Sequence, residues 1–205
     1  MGIWDRIFAA FYDPMMAATD EAGLAEHRAQ VANQASGRVL EIGAGTGRNM
    51  ALYPDSVTEL VLSEPSLPMS KRLEAKLGEA TVSPVRVVNA GAEQLPFEDA
   101  SFDTVVSTLV LCTVPDLPGT LAEVRRVLKP QGRFLFLEHV RASAPRLAAW
   151  QDRLHGPWRA WGNGCHCNRD TVAAIRQSGL DVTELVEDNL PKMLLASPLA
   201  RGSAV

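Results

Sequence analysis

Apolar positions change their period several times along this chain. From Ile3 to Met16 the residues Ile3, Trp4, Ile7, Phe8, Phe11, Tyr12 and Met15 recur at helical spacing, which predicts an amphipathic helix with one strongly apolar face. A second helix is expected over Asp20–Ala35, ended by Ser36 and Gly37. Short apolar runs then take over. They predict strands at Arg38–Ile42, Val57–Leu62, Val85–Val88, Phe102–Leu111 and Arg133–Val140, alternating with helices at Arg48–Leu52, Ser66–Lys76 and Leu117–Leu128. The Phe102–Leu111 run is almost unbroken, as expected of a strand buried on both faces. Beyond Val140 the pattern weakens. Helices are expected at Leu147–Arg159 and Asp170–Ser178, with closing strands at Asp181–Val186 and Lys192–Ala196.

Strands alternating with helices at this spacing imply parallel strands joined by right-handed crossovers. The expected fold is α/β, a three-layer Rossmann-like sandwich around a mostly parallel seven-stranded sheet, with its ligand at the carboxyl ends of the strands. The 205 residues read as one domain. Residues 1–36 supply N-terminal helices or a lid, 37–140 a ligand-binding core, and 141–205 substrate-side helices and closing strands.

Charge and composition narrow the function. The net charge is -4, and no basic run exceeds the pair Arg125 and Arg126, so nucleic acid is not the expected partner. No apolar run approaches the roughly 18–20 residues that span a bilayer, although the first helix offers a face for weak contact with a membrane surface. Gly2 is not expected to be acylated, because Arg6 stands where such a motif needs Ser or Thr. Cys112, Cys165 and Cys167 do not make a disulfide framework, and a reducing cytoplasm is expected.

The main chemical signal is Gly43-Ala44-Gly45-Thr46-Gly47, directly after the first strand of the core. A strand feeding such a turn lets backbone amides approach a ligand closely. A dinucleotide site needs its third glycine at the position of Arg48. Glu41, two residues before Gly43, would also repel a pyrophosphate. A carboxylate there suits S-adenosylmethionine, which has no phosphate and carries an ammonium and a sulfonium. Glu64, at the end of the second strand, is placed to accept from both ribose hydroxyls. Ala92 and Glu93, after the third strand, are candidates for the adenine edge.

The stretches VLEIGAGTG (39–47), VLSEPS (61–66), NAGAEQLPFEDASFDTVVS (89–107) and EVRRVLKPQGRFLFLEH (123–139) together resemble the motif series of class I methyltransferases. Among these the chain is similar to the ubiquinone/menaquinone-biosynthesis type. FYDP (11–14), STLVLCTV (107–114) and GNGCHCNRDT (162–171) resemble more closely the thiol S-methyltransferases of mammals. Those carry an apolar N-terminal anchor without a counterpart here, so an unanchored enzyme is expected. The resemblance implies S-adenosylmethionine as cofactor, S-adenosylhomocysteine as product and a small or lipophilic acceptor, first of all a thiol. A quinone precursor, phospholipid head group or secondary metabolite methylated at C, O or N is the alternative. A non-catalytic S-adenosylmethionine-binding protein is a further one. It also implies that Gly43, Ala44, Gly45 and Gly47 line the methionine part of the cofactor. Glu64 and Pro65 would then hold the ribose and adenine, and Thr108 and Leu109 would form the floor beneath the sulfonium.

His139, at the carboxyl end of the fifth strand, is the candidate base, and Tyr12 the candidate aromatic over the sulfonium. Trp150, Trp158 and Trp161, with His155 among them, are read as the wall of an apolar pocket. Cys165-His166-Cys167 is a tight pair with no second pair to complete four ligands, so no metal is expected. A trio of Cys112, Cys165 and Cys167 on arsenite is a minor alternative.

Overall fold

A computed structural model describes residues 3–191 and 193–205, with side chains from Phe8 onward. Met1, Gly2, Lys192 and the side chains of Ile3, Trp4 and Ile7 lie outside the described residues, and with them part of the apolar face expected on the first helix.

The chain begins with α1 (Ile3–Thr19), a π-helical turn (Asp20–Leu24) and α2 (Ala25–Ala32). The expected boundary between two helices is present as a kink, not a break: Gly23 takes a φ of 120°, which an L side chain rarely adopts. Then come β1 (Gly37–Ile42), β2 (Val57–Ser63), α3 (Leu67–Ala75), β3 (Val85–Val88), β4 (Phe102–Thr108), α4 (Leu117–Val127) and β5 (Leu128–His139). They are followed by α5 (Pro145–Trp161), α6 (Thr171–Gln177), β6 (Val182–Asn189) and β7 (Pro198–Ala204). The strands form one seven-stranded sheet in the order β3-β2-β1-β4-β5-β7-β6. The five strands from β3 to β5 are parallel, and β7 pairs antiparallel with both β5 and β6.

Alternation along the strands divides the core. Leu40, Ile42, Val105, Phe134 and Phe136 face one layer with Leu121 and Val124 of α4 and Ile175 of α6. Val39, Leu60, Leu62, Val106, Leu135 and Leu137 face the other, with Val31 of α2 and Leu73 of α3. The order of strands reverses between β1 and β4, and a sheet of this kind opens its ligand crevice there, at the carboxyl ends.

Three expected elements differ. After Gly47 only a short 3-10 turn (Met50–Leu52) forms, since Pro54 ends the segment before an α-helix can grow. The stretch Lys129–Gly132, left between the expected helix Leu117–Leu128 and the expected strand Arg133–Val140, belongs to β5 as a bulge, where Gln131 has a φ of 67° and the pairing shifts between Phe102 and Thr104. The expected strand Lys192–Ala196 is absent from the described residues. Leu194–Ala196 is a 3-10 turn, and the closing strand is Pro198–Ala204. Its small residues hid it: a Cβ on Gly202 would stand 2.9 Å from the Phe136 ring and closer still to the Glu184 carbonyl, so this strand packs only without bulk.

Candidate active site

A cavity of about 860 Å³ opens at the carboxyl ends of β1, β2, β4 and β5. That is within the range of small-molecule sites, about 300–1,000 Å³. Its floor begins with the glycine loop. Gly43 and Gly45 have φ of 58° and 59°, and both line the cavity. A Cβ on Gly43 would come within 2.6 Å of Val110. The bare backbone therefore makes both the turn and the space beside it.

Glu64 directly follows β2 and turns back under the loop. Its carboxylate accepts from the Gly45 amide at 2.9 Å and from the Ser66 amide at 2.8 Å. Burial raises its pKa above the ordinary value, while these two amides lower it. Pro65, Asn89, Ala92 and Glu93 complete this end of the cavity.

Helix α1 crosses above. Phe8, Tyr12, Met15, Met16 and Thr19 line the cavity, and the Tyr12 ring stands 3.7 Å from where a side chain on Gly45 would begin. Burial pushes the Tyr12 phenol above its ordinary pKa, so it stays neutral. Asp13, next along the helix, pairs with Lys76 at 2.8 Å and accepts from Thr46. Arg48 bonds Asp20 at 2.7 Å through Nε and lies 3.5 Å from Asp13. The residue that stands in place of a third dinucleotide glycine thus ties the N-terminal helices to the loop.

Glu41 is elsewhere than expected. Its side chain lies beneath the loop, accepting from Tyr53 at 2.7 Å and from Asn49 at 2.9 Å, and is not among the cavity-lining residues. Burial pushes its carboxyl up to about 7. Asn49 also donates to Thr108 at 3.0 Å, so Thr108 serves the same buried network and does not line the cavity. Ala44 and Gly47 are also outside the lining: Ala44 donates to the Ser63 carbonyl at 2.9 Å, and a Cβ on Gly47 would strike Leu73 at 2.7 Å. Leu109 does line the cavity, with a φ of 59° where β4 ends.

The far end of the cavity is built on Glu138, whose role the sequence reading missed. This buried carboxylate accepts from Ser107 at 2.6 Å and from the amides of Val110 at 3.1 Å and Cys112 at 3.2 Å. It therefore folds the segment after β4 back over β5 and sets Cys112 beside His139. The His139 Nδ1 lies 3.8 Å from the Cys112 sulfur and 3.6 Å from that of Cys165. The neighbouring Cys112 and His139 hold the Cys165 thiol well below its ordinary pKa against the effect of burial. Cys112 is raised by its neighbour Cys165 and by burial. Cys112, His139 and Cys165 all line the cavity, with Trp158 and Trp161 beside them.

Trp150 is 54% exposed and outside that wall, and His155 bonds His166 at 2.9 Å instead of entering it. Among the described lining residues the only charged side chains are Glu64 and Glu93. Two carboxylates and no cation suit a cationic nucleoside with free ribose hydroxyls and oppose a pyrophosphate.

The comparisons agree. A family profile described as "Methyltransferase domain" matches residues 40–136. The chain is 34% identical to the Thiol S-methyltransferase TMT1B of Rattus norvegicus over 171 residues, covering 82% of this chain and 70% of that one. This chain belongs to the class I S-adenosylmethionine-dependent methyltransferases. The methyltransferase is also 34% identical over 127 residues to the ubiquinone/menaquinone biosynthesis C-methyltransferase UbiE of Bartonella tribocorum, covering 59% of this chain and 46% of that one. Its fold matches that of a Thermotoga maritima protein described as a SAM-dependent methyltransferase and possible histamine N-methyltransferase. The TM-score is 0.70, at 21% identity and 97% coverage of each chain. Among the described residues of the methyltransferase no helix is long and apolar enough to cross a membrane.

Proposed function

We propose that this methyltransferase acts on a small lipophilic thiol, producing a methyl thioether. S-adenosylmethionine supplies a methyl group already activated on a sulfonium. The protein's contribution is alignment and exclusion of water, which in favourable systems lowers the barrier by roughly 7–11 kcal/mol. On this reading Gly43, Gly45 and Leu109 border the methionine part. Glu64 meets the ribose, and Pro65, Ala92 and Glu93 border the adenine. Tyr12 turns its ring toward the sulfonium, and Glu41, Ala44, Gly47 and Thr108 hold the loop from behind.

The observation that carries the thiol reading is the polarity of the acceptor end. Its walls are apolar: Met15, Leu109, Val110, Trp158, Trp161 and Met193. Its polar end is a cluster of two cysteines and His139, with no Lys or Arg among the described lining residues to meet a phosphate or carboxylate. A soft, uncharged nucleophile with an apolar body fits such a space. The similarity to a thiol S-methyltransferase supports it independently.

The test is transfer of labelled methyl from S-adenosylmethionine to hydrogen sulfide, short alkyl thiols, an aminophospholipid and a quinol. Label on the thiols alone is expected. Label on the quinol or the phospholipid instead would replace the thiol reading with C-, O- or N-methylation, the quinol arm being the one that similarity to UbiE supports.

A further inference from the structure

Cys112, His139 and Cys165 come from three separate segments: the loop after β4, the end of β5 and the loop after α5. The ligand atoms that they offer all lie within 4.8 Å of one another. The adjacent Cys167 is not part of the group: it is buried behind it, and its carbonyl accepts from Gln151 at 2.8 Å. The neighbouring pair in the sequence is therefore not the chemical unit.

The distances have a recognisable form. A tetrahedral zinc ion with bonds of about 2.3 Å to sulfur and 2.0–2.1 Å to nitrogen has N···S edges of about 3.6 Å and an S···S edge of about 3.8 Å. The two N···S separations here are 3.6 and 3.8 Å, both to the same nitrogen. All three residues are buried, and all three line the cavity that holds the glycine loop. His139 Nε2 is buried and has no hydrogen-bond partner among the described residues, so Nδ1, between the sulfurs, is the nitrogen with a defined task. The backbone of Cys112 is held by the Glu138 carboxylate, so the ligand on the loop is fixed as firmly as the one on the strand.

We propose that Cys112, His139 and Cys165 bind one zinc ion, and that its fourth position, open to the cavity, takes the sulfur of the acceptor thiol. Three protein ligands with one open position are the arrangement of a catalytic zinc site, in contrast to the closed set of four in a structural one. The site rests on the thiol reading for its substrate and deepens it. On coordination the acceptor thiol gives its proton to solvent and becomes a zinc-bound thiolate. A sulfur lone pair then forms the new bond to the methyl carbon, and the carbon–sulfonium bond breaks with its electron pair returning to the departing sulfur. The neutral methyl thioether is a poorer ligand than the thiolate and leaves the metal. No electron is gained or lost overall.

The experiment uses the full chain, reduced, stripped with a chelator and titrated with Zn²⁺ against a chromophoric competitor, then with Co²⁺ as a spectroscopic substitute. The expected result is one equivalent of metal per chain, and a cobalt spectrum with tetrahedral d–d bands and thiolate-to-cobalt charge transfer. The charge-transfer band should gain intensity when ethanethiol is added. Cys165→Ser and His139→Ala should each weaken zinc by more than about tenfold, with Cys167→Ser unchanged. Absence of stoichiometric binding, or a cobalt spectrum indifferent to ethanethiol, overturns the site. Thiol methylation at full rate by metal-free protein also overturns it while leaving S-methylation intact. A thiol-sensitive cobalt spectrum with label only on another acceptor keeps the metal site and removes the thiol reading.

Discussion

The Tyr53 hydroxyl donates a 2.7 Å hydrogen bond to Glu41 beneath the glycine loop, in an interior that burial leaves at 3% exposure for both residues. This pair makes stability depend on pH. The Glu41 carboxyl rises from an ordinary value of 4.5 to about 7 in the folded protein, chiefly by burial. A raised folded pKa means that the native state holds the proton more tightly than the unfolded one. Its contribution is then complete below pH 4.5 and is lost as pH rises through 7. The loss is about 3 kcal/mol. Denaturant unfolding on either side of that window should show Glu41→Gln losing less stability with rising pH than the parent. Equal losses would remove Glu41 as the source.

Gly45→Asp should abolish S-adenosylmethionine binding while leaving the fold in place. A Cβ there meets nothing closer than 3.7 Å, and Asp tolerates the left-handed backbone better than most residues, yet its charge would project beside Glu64. Calorimetric titration with the cofactor reads the result, and unchanged affinity would displace the cofactor from this loop. Gly47→Ala should act in the opposite way, on stability, by about 1–2 kcal/mol through its left-handed backbone (φ 85°), with Leu73 having to shift as well.

Glu64→Ala should weaken cofactor binding by about 1.5–3 kcal/mol, the range for hydrogen bonds to a charged group. Glu64→Gln keeps an oxygen for one of the amides of Gly45 and Ser66 and should lose less. If both variants bind as the parent does, the ribose lies elsewhere.

His139→Ala should lower turnover far more than cofactor affinity: both His139 and Glu64 line the cavity, with the acceptor proposed at His139 and the nucleoside at Glu64. Steady-state rates beside calorimetric affinities separate the two. A parallel fall in both would return His139 to a structural role.

How much of this was legible beforehand depended on how local each signal was. β1, β2, β3 and α4 were readable to within about two residues because unbroken apolar runs and Gly or Pro punctuation are short-range features. The glycine loop was legible for the same reason. Strand β7 was not: Pro198–Ala204 has almost none of the bulky or branched residues that mark a strand, and its identity comes from fitting against Phe136 and Glu184. Glu41 was misplaced because side-chain alternation in β1, with Leu40 and Ile42 on one face, turns position 41 to the opposite side. Cys112, His139 and Cys165 lie 27 and 26 residues apart in succession, and only the Glu138 clamp and the loop after α5 bring them together.

Helix α1 has a kinetic consequence. It is fastened over Gly45 by apolar contact through Tyr12 and Met16 and also by charge, through Asp13 to Lys76 and Arg48, and the same Arg48 anchors the following turn through Asp20. A cover fastened by apolar contact alone would be indifferent to electrolyte. One fastened by partly exposed ion pairs is loosened by it. Added salt is therefore expected to speed the escape of S-adenosylhomocysteine, and stopped-flow displacement at rising ionic strength would show it. Where that escape limits the cycle, the ionic composition of the medium becomes a throttle on the enzyme, set at a distance from the bond that is made.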